Sequence, residues 1–118
     1  VPWGVRPAPA LVAVGSVTTV LDWQSPLSAA AALSVPKTEF LVADWYVADP
    51  APLRAAFREG YRSVRAMPSV EPAHRVAAIA ASAVDAAGRV TNPRYPPVGR
   101  DAAVAFHREA LKRVLASV

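Results

Sequence analysis

The chain contains no cysteine. That excludes a disulfide framework, a thiolate nucleophile and a cysteine-based zinc site. It suits a reducing compartment, and the cytoplasm is the expected location. Long hydrophobic runs are also missing: no apolar stretch approaches the ~20 residues that a membrane span needs. No membrane partner is expected, and no charged-then-apolar signal segment opens the chain. The five glycines are scattered singly, so there is no glycine-rich phosphate loop. Histidine is scarce: His74 and His107 lie too far apart for a short helical metal motif. Ser16, Ser25, Ser34, Ser63 and Ser69 fall in no G-x-S-x-G context. There is no fixed-period repeat and no coiled-coil seam.

What the chain does have is alanine, arginine and proline. Its 118 residues make one small domain, 1–118, with a modest core. Hydrophobic residues are 53% of it, and because alanine supplies much of that share, helices are favoured. The net charge is +4, carried mostly by arginine, which permits an anionic partner. The arginines are spread along the chain and not interleaved with aromatics, which argues for solvated helix faces and against a nucleic-acid interface.

Residues 1–9 hold three prolines and a glycine and read as an extended loop. Two apolar runs follow, Ala10 to Val14 and Val17 to Asp22, separated by Gly15-Ser16. They predict a β-hairpin over 10–22 with Gly15-Ser16 as its turn, ending in one aspartate, Asp22, before Trp23. From local pattern alone, Asp22 is either an acid presented to a cleft or a strand-end cap on the next turn.

Residues 25–118 predict a helical subdomain. Ser25-Pro26 starts a short helix through the alanines 29–32, which should break at Val35, before Pro36. A second helix is expected over 37–48, with Phe40, Leu41, Val42, Trp45, Tyr46 and Val47 apolar nearly all round and therefore buried on more than one side. Asp44 within it is either a second cleft acid or a carboxylate paired with an arginine; pairing is the expected state of a buried acid.

Asp49-Pro50 opens a helix running to about Arg65. Leu53, Ala56, Phe57, Tyr61 and Val64 form its expected core face. Arg54, Arg58, Arg62 and Arg65 make a stripe on another face: an anion-binding ridge, or a solvated face with Glu59 partly neutralising Arg62. A helix from Glu71-Pro72 to about Ala87 should bury Val76, Ile79, Ala80, Ala83 and Val84 and stop at Gly88. After a turn-rich loop over 88–99, a last helix over about 100–117 places Ala103, Phe106, Ala110, Leu111 and Val114 on one face. The fold class is mostly α with a small β-hairpin.

The run Val17-Thr18-Thr19-Val20-Leu21-Asp22-Trp23-Gln24 resembles the "VTGVIDWE" strand of the aminoglycoside phosphotransferase and choline kinase-like family, itself similar to protein kinases in its C-terminal lobe. Gly60-Tyr61-Arg62-Ser63-Val64-Arg65 is similar to that family's downstream "F-x-x-GY" helix. The resemblance implies a kinase-like C-terminal lobe with ATP as donor, a small hydroxylated acceptor, and Mg²⁺ bound through Asp22. It also implies that an N-terminal lobe of such a protein is not in this chain, with a first residue, Val1, that fits a trimmed chain.

One segment departs from the family pattern. The family's loop reads like "H/W-G-D-x-x-x-x-N", and the matching stretch here begins Trp3-Gly4-Val5-Arg6-Pro7. Val5 stands where the base aspartate would be, and Ala10 where the metal-holding asparagine would be. Neither side chain offers a lone pair to a proton or a metal. The expectation is a phosphotransferase-family lobe that is inactive or incomplete alone, with no catalytic residue of its own. The competing expectation is a non-enzymatic helical module that holds a protein or an anionic partner through the arginine stripe or a bare apolar face.

Overall fold

The computed structural model of the protein describes residues 10–20, 30–85, 87–90, 92 and 94–118. Strands β1 (Ala10–Ala13) and β2 (Ser16–Val20) form an antiparallel two-stranded hairpin. Among the described residues four α-helices follow: α1 (Ala31–Glu39), α2 (Ala51–Val64), α3 (Pro72–Ala80) and α4 (Arg100–Ala116). The molecule is mostly helical, as its alanine-rich composition leads one to expect.

The hairpin turns one residue earlier than the glycine position implies. Ala13 pairs with Ser16, so the turn residues are Val14 and Gly15, not Gly15 and Ser16. Both have positive φ, 51° and 74°. Such a turn matches the twist of the strands but needs left-handed backbone twice. Gly15 adopts it freely, whereas Val14, a fully exposed β-branched residue, does so under strain. A bulge between Leu11 and Val12 leaves Thr18 without an opposite residue. Val14→Asn replaces the strained residue by one that tolerates this backbone. It should stabilise the hairpin by about 1 kcal/mol, read as roughly fivefold slower amide exchange in β1 and β2.

The expected break at Val35 does not occur. From Ala31 the helix runs through Pro36 to Glu39 and continues without interruption as a π-helical segment, Phe40–Trp45. An interior proline removes a hydrogen bond and costs about 3 kcal/mol. Here the successive residues Ser34, Val35, Pro36 and Lys37 are all buried, more than a full turn. Burial around the whole circumference outweighs the local penalty. The wide π turn buries Phe40, Leu41, Ala43 and Trp45 together, so the apolar-all-round run is core, as expected, though not as an α-helix.

Helix α3 ends at Ala80, about seven residues short of the Ala87 expected from sequence. The Ser82 hydroxyl donates to the Ala78 carbonyl at 2.7 Å, and Asn92 Nδ2 donates to the Ser82 carbonyl at 3.2 Å. Asp85 then gathers a local turn, accepting from the backbone N–H of Arg89 at 2.8 Å and of Ala87 at 2.9 Å. The Arg89 backbone bond is the main cause holding the Asp85 carboxyl below its ordinary range, with the Arg89 side chain and the Ala87 N–H adding to it. Gly88 closes that turn at φ 77°, with Arg100 packed so close that a Cβ would meet its Nε at 2.6 Å. Gly88 is thus a stop signal, but for a side-chain-capped turn and not for a helix. At the other end of α3 the Glu71 N–H donates to His74 Nδ1 at 3.1 Å, which closes the first turn.

The core joins the π segment to the last two helices. Phe40, Leu41, Trp45, Ile79, Ala103 and Ala110 form the buried cluster, with Phe106, Leu111 and Val114 packed against it. Helix α1 packs on α3, α3 on α4, and α2 on the π segment. The small residues Ala103 and Ala110 let α4 approach closely. Helix α2 contradicts its expected core face: it has no buried residue, with Leu53, Phe57 and Tyr61 half-buried and Ala56 and Val64 exposed. Among the described residues no helix is long and apolar enough to cross a membrane.

Candidate functional site

Glu39, the last residue of α1, organises the most polar part of the interior. Its side chain is only 6% exposed. Burying a carboxylate is costly unless it is paired and hydrogen-bonded, and three guanidiniums converge on it. Arg58 Nε donates to Glu39 Oε1 at 2.6 Å. Arg54 Nε stands 3.9 Å from the same oxygen, and Arg75 Nη1 4.0 Å from Oε2. Arg54 also donates through Nη2 to Asp44 Oδ1. Arg54 and Arg58 are one turn apart on α2, so docking α2 on the π segment aims both at Glu39, just before that segment, and Asp44, within it.

This geometry divides the arginine stripe. Arg54 and Arg58 are consumed by Asp44 and Glu39, and the expected pairing of Asp44 with an arginine is what occurs. Arg62 and Arg65 remain exposed, and among the described residues no ion pair joins Glu59 to Arg62. A continuous four-arginine anion ridge is therefore absent from α2.

Beside this cluster lies a cleft of about 210 Å³ between α1, α3 and α4. Glu39, Asp44, Arg75 and Arg113 supply its polar groups, and Phe40, Ile79, Ala110 and Val114 its apolar ones. Ser117, also at the cleft, donates through its hydroxyl to the Val114 carbonyl at 2.6 Å, which satisfies part of the C-terminal end of α4.

A second group surrounds Trp45. The indole Nε1 donates to the Asn92 carbonyl at 3.2 Å. The Arg94 guanidinium donates to the Trp45 carbonyl and lies 4.9 Å from the Trp45 ring and 4.8 Å from the Phe106 ring. The Tyr95 N–H donates to the Tyr46 carbonyl at 2.8 Å. These bonds tie the turn-rich loop to the core, which is a structural role. His107 belongs to the same core: Nδ1 contacts the Ala103 carbonyl at 2.7 Å, while Nε2 is buried without a partner among the described residues. Phe40 and Trp45 pack on its ring, with centroids at 5.5 and 4.9 Å.

Asp22, Val5 and the loop carrying Val5 lie outside the described residues. Ala10 is the first residue of β1. Among the described residues no group of three His, Asp or Glu side chains is close enough to hold a metal ion. Sequence reasoning passed over Glu39, Arg75 and Arg113. The one available signal was that Glu39 and Asp44 bracket an apolar run while Arg54 and Arg58 recur at helical spacing further on. No protein-family model, curated protein or solved structure matches this chain.

Proposed function

We propose that the chain is the C-terminal-lobe part of a phosphotransferase of the aminoglycoside phosphotransferase or choline kinase-like type, inactive or incomplete by itself. The observation that supports this reading is the order of elements. A hairpin whose second strand, Ser16–Val20, ends two positions before Asp22 in sequence is followed, among the described residues, by helices. In this reading Asp22 holds magnesium, the metal neutralises nucleotide phosphate charge, and the helices border the site of a small hydroxylated acceptor. Val5 and Ala10 supply neither a base nor a second metal ligand. General-base assistance, worth about 10²–10⁴-fold, is therefore missing.

The test is calorimetric titration of the purified chain with ATP, with and without magnesium. Weak magnesium-dependent binding at millimolar nucleotide is expected, without turnover, and Asp22→Asn should abolish the magnesium dependence. Absence of binding at millimolar nucleotide overturns the reading. It would leave the second one, a non-enzymatic helical module for a protein partner. The apolar face of α2, only partly covered, with Leu53, Phe57 and Tyr61 half-buried and Val64 exposed, favours that alternative.

A further inference from the structure

The cleft between α1, α3 and α4 has a charge imbalance that its own ion pairs do not remove. Arg54 and Arg58 reach Glu39 and Asp44 from α2, outside the cleft, so the two acids on its lining are already paired, while Arg75 and Arg113 also line it. The close pairings are those of Arg58 with Glu39 and of Arg54 with Asp44. Arg75 reaches Glu39 only at 4.0 Å, at the limit of an ion pair and without a hydrogen bond. Arg113 is exposed and makes no hydrogen bond or ion pair with the described residues; Glu109, one turn back on α4, is paired with Lys112 at 2.8 Å. Two cations therefore line the cleft with donor capacity to spare. Apart from Ser117, whose hydroxyl is donated to the Val114 carbonyl, the wall is apolar, with Phe40, Ile79, Ala110 and Val114 in it.

We propose that this cleft binds a small organic carboxylate with an apolar body, the carboxylate held by Arg75 and Arg113 and the body lying on Ile79, Ala110 and Val114. Guanidinium forks match a planar carboxylate. The buried Glu39 behind them repels the anion from the deepest point, so the acid group is held towards the cleft mouth and the apolar body against the helices. A volume of about 210 Å³ suits a single substituted ring or a short branched chain. The apolar wall distinguishes such a ligand from inorganic phosphate, which has no surface to bury there. The inference is independent of the phosphotransferase reading, because it uses no residue before Glu39.

The test is a heteronuclear NMR titration of the full chain with sodium benzoate at constant ionic strength, beside benzyl alcohol and inorganic phosphate. The expected result is saturable binding with a dissociation constant on the order of 1 mM, with the shifts concentrated at Ile79, Ala110 and Val114. Benzyl alcohol and phosphate should each bind about tenfold more weakly or less. Arg113→Gln, at an exposed position that leaves the fold intact, should weaken benzoate about tenfold. Arg62→Gln, on the outer part of α2, should leave it unchanged, and so should Asp22→Asn. Retained benzoate binding in a chain that fails to bind nucleotide would support this site and overturn the lobe reading alone. Equal affinity for benzyl alcohol, equal affinity for phosphate, no saturation by tens of millimolar, or an unaffected Arg113→Gln variant would each overturn the carboxylate site.

Discussion

Trp45→Ala is expected to bring the domain close to unfolding. The indole is 1% exposed and stands where the π segment meets α4. Truncating a buried tryptophan costs about 3–5 kcal/mol through lost transfer energy and the cavity left behind. The substitution also removes the indole N–H that donates to the Asn92 carbonyl at 3.2 Å, and a ring against which Arg94 lies. A domain of this size has a total stability of about 5–15 kcal/mol, so the loss is a large fraction of it. Urea unfolding followed by far-ultraviolet circular dichroism checks this. Trp45→Phe keeps most of the ring volume and gives up the hydrogen bond, so it should cost about 1–3 kcal/mol. A cost below about 1 kcal/mol for Trp45→Ala would mean that the core is not organised around this residue.

The second large effect is an asymmetry between two partners of one ion pair. Arg58→Ala should destabilise by about 2–3 kcal/mol, more than Glu39→Leu, which should cost about 1 kcal/mol or less. The reason lies in what each change leaves behind. Removing Arg58 leaves a carboxylate that is 6% exposed, with its nearest remaining cations at 3.9 and 4.0 Å and neither hydrogen-bonded to it. Removing Glu39 leaves guanidiniums that are 36–44% exposed and can turn to water. Leucine meanwhile fills much of the vacated space beside Phe40. Urea midpoints of the two variants, with the double variant closing the cycle, measure the asymmetry. A Glu39→Leu cost exceeding that of Arg58→Ala would show that the carboxylate is a net source of stability and not a buried liability.

The two effects show how unevenly the sequence reports on the structure. Patterns confined to a few residues were legible. Asp49-Pro50 marks the start of α2, whose first free N–H, at Ala51, lies 3.4 Å from the Asp49 carboxylate. The spacing of Ala103, Phe106, Ala110, Leu111 and Val114 marks the inner face of α4, and the apolar-all-round run around Trp45 marks the core. Each of these depends on the backbone's nearest neighbours or on simple periodicity. The failures share a different cause. Pro36 reads locally as a helix breaker, and the end of α3 reads locally as helix. In the first case burial on every side overrides a propensity of a few kcal/mol; in the second, Ser82, Asp85 and Asn92 offer side-chain bonds that end the helix early. The α2 periodicity promised a buried face, but amphipathic spacing says which residues share a face and not whether anything covers it.

The amino-acid sequence by itself determined a mostly helical chain with a short hairpin ahead of the helices, and the identity of the residues that could become its core. Only the tertiary structure decided which charges meet. In the sequence Arg54 and Arg58 look identical to Arg62, further along α2, and to Arg65 just past its end. The docking of that helix on the π segment sets the first pair against Glu39 and Asp44 and leaves the second pair in water. Electrostatic partnership depends on distances across the chain, which no local pattern records, whereas helix formation is largely settled within a turn or two.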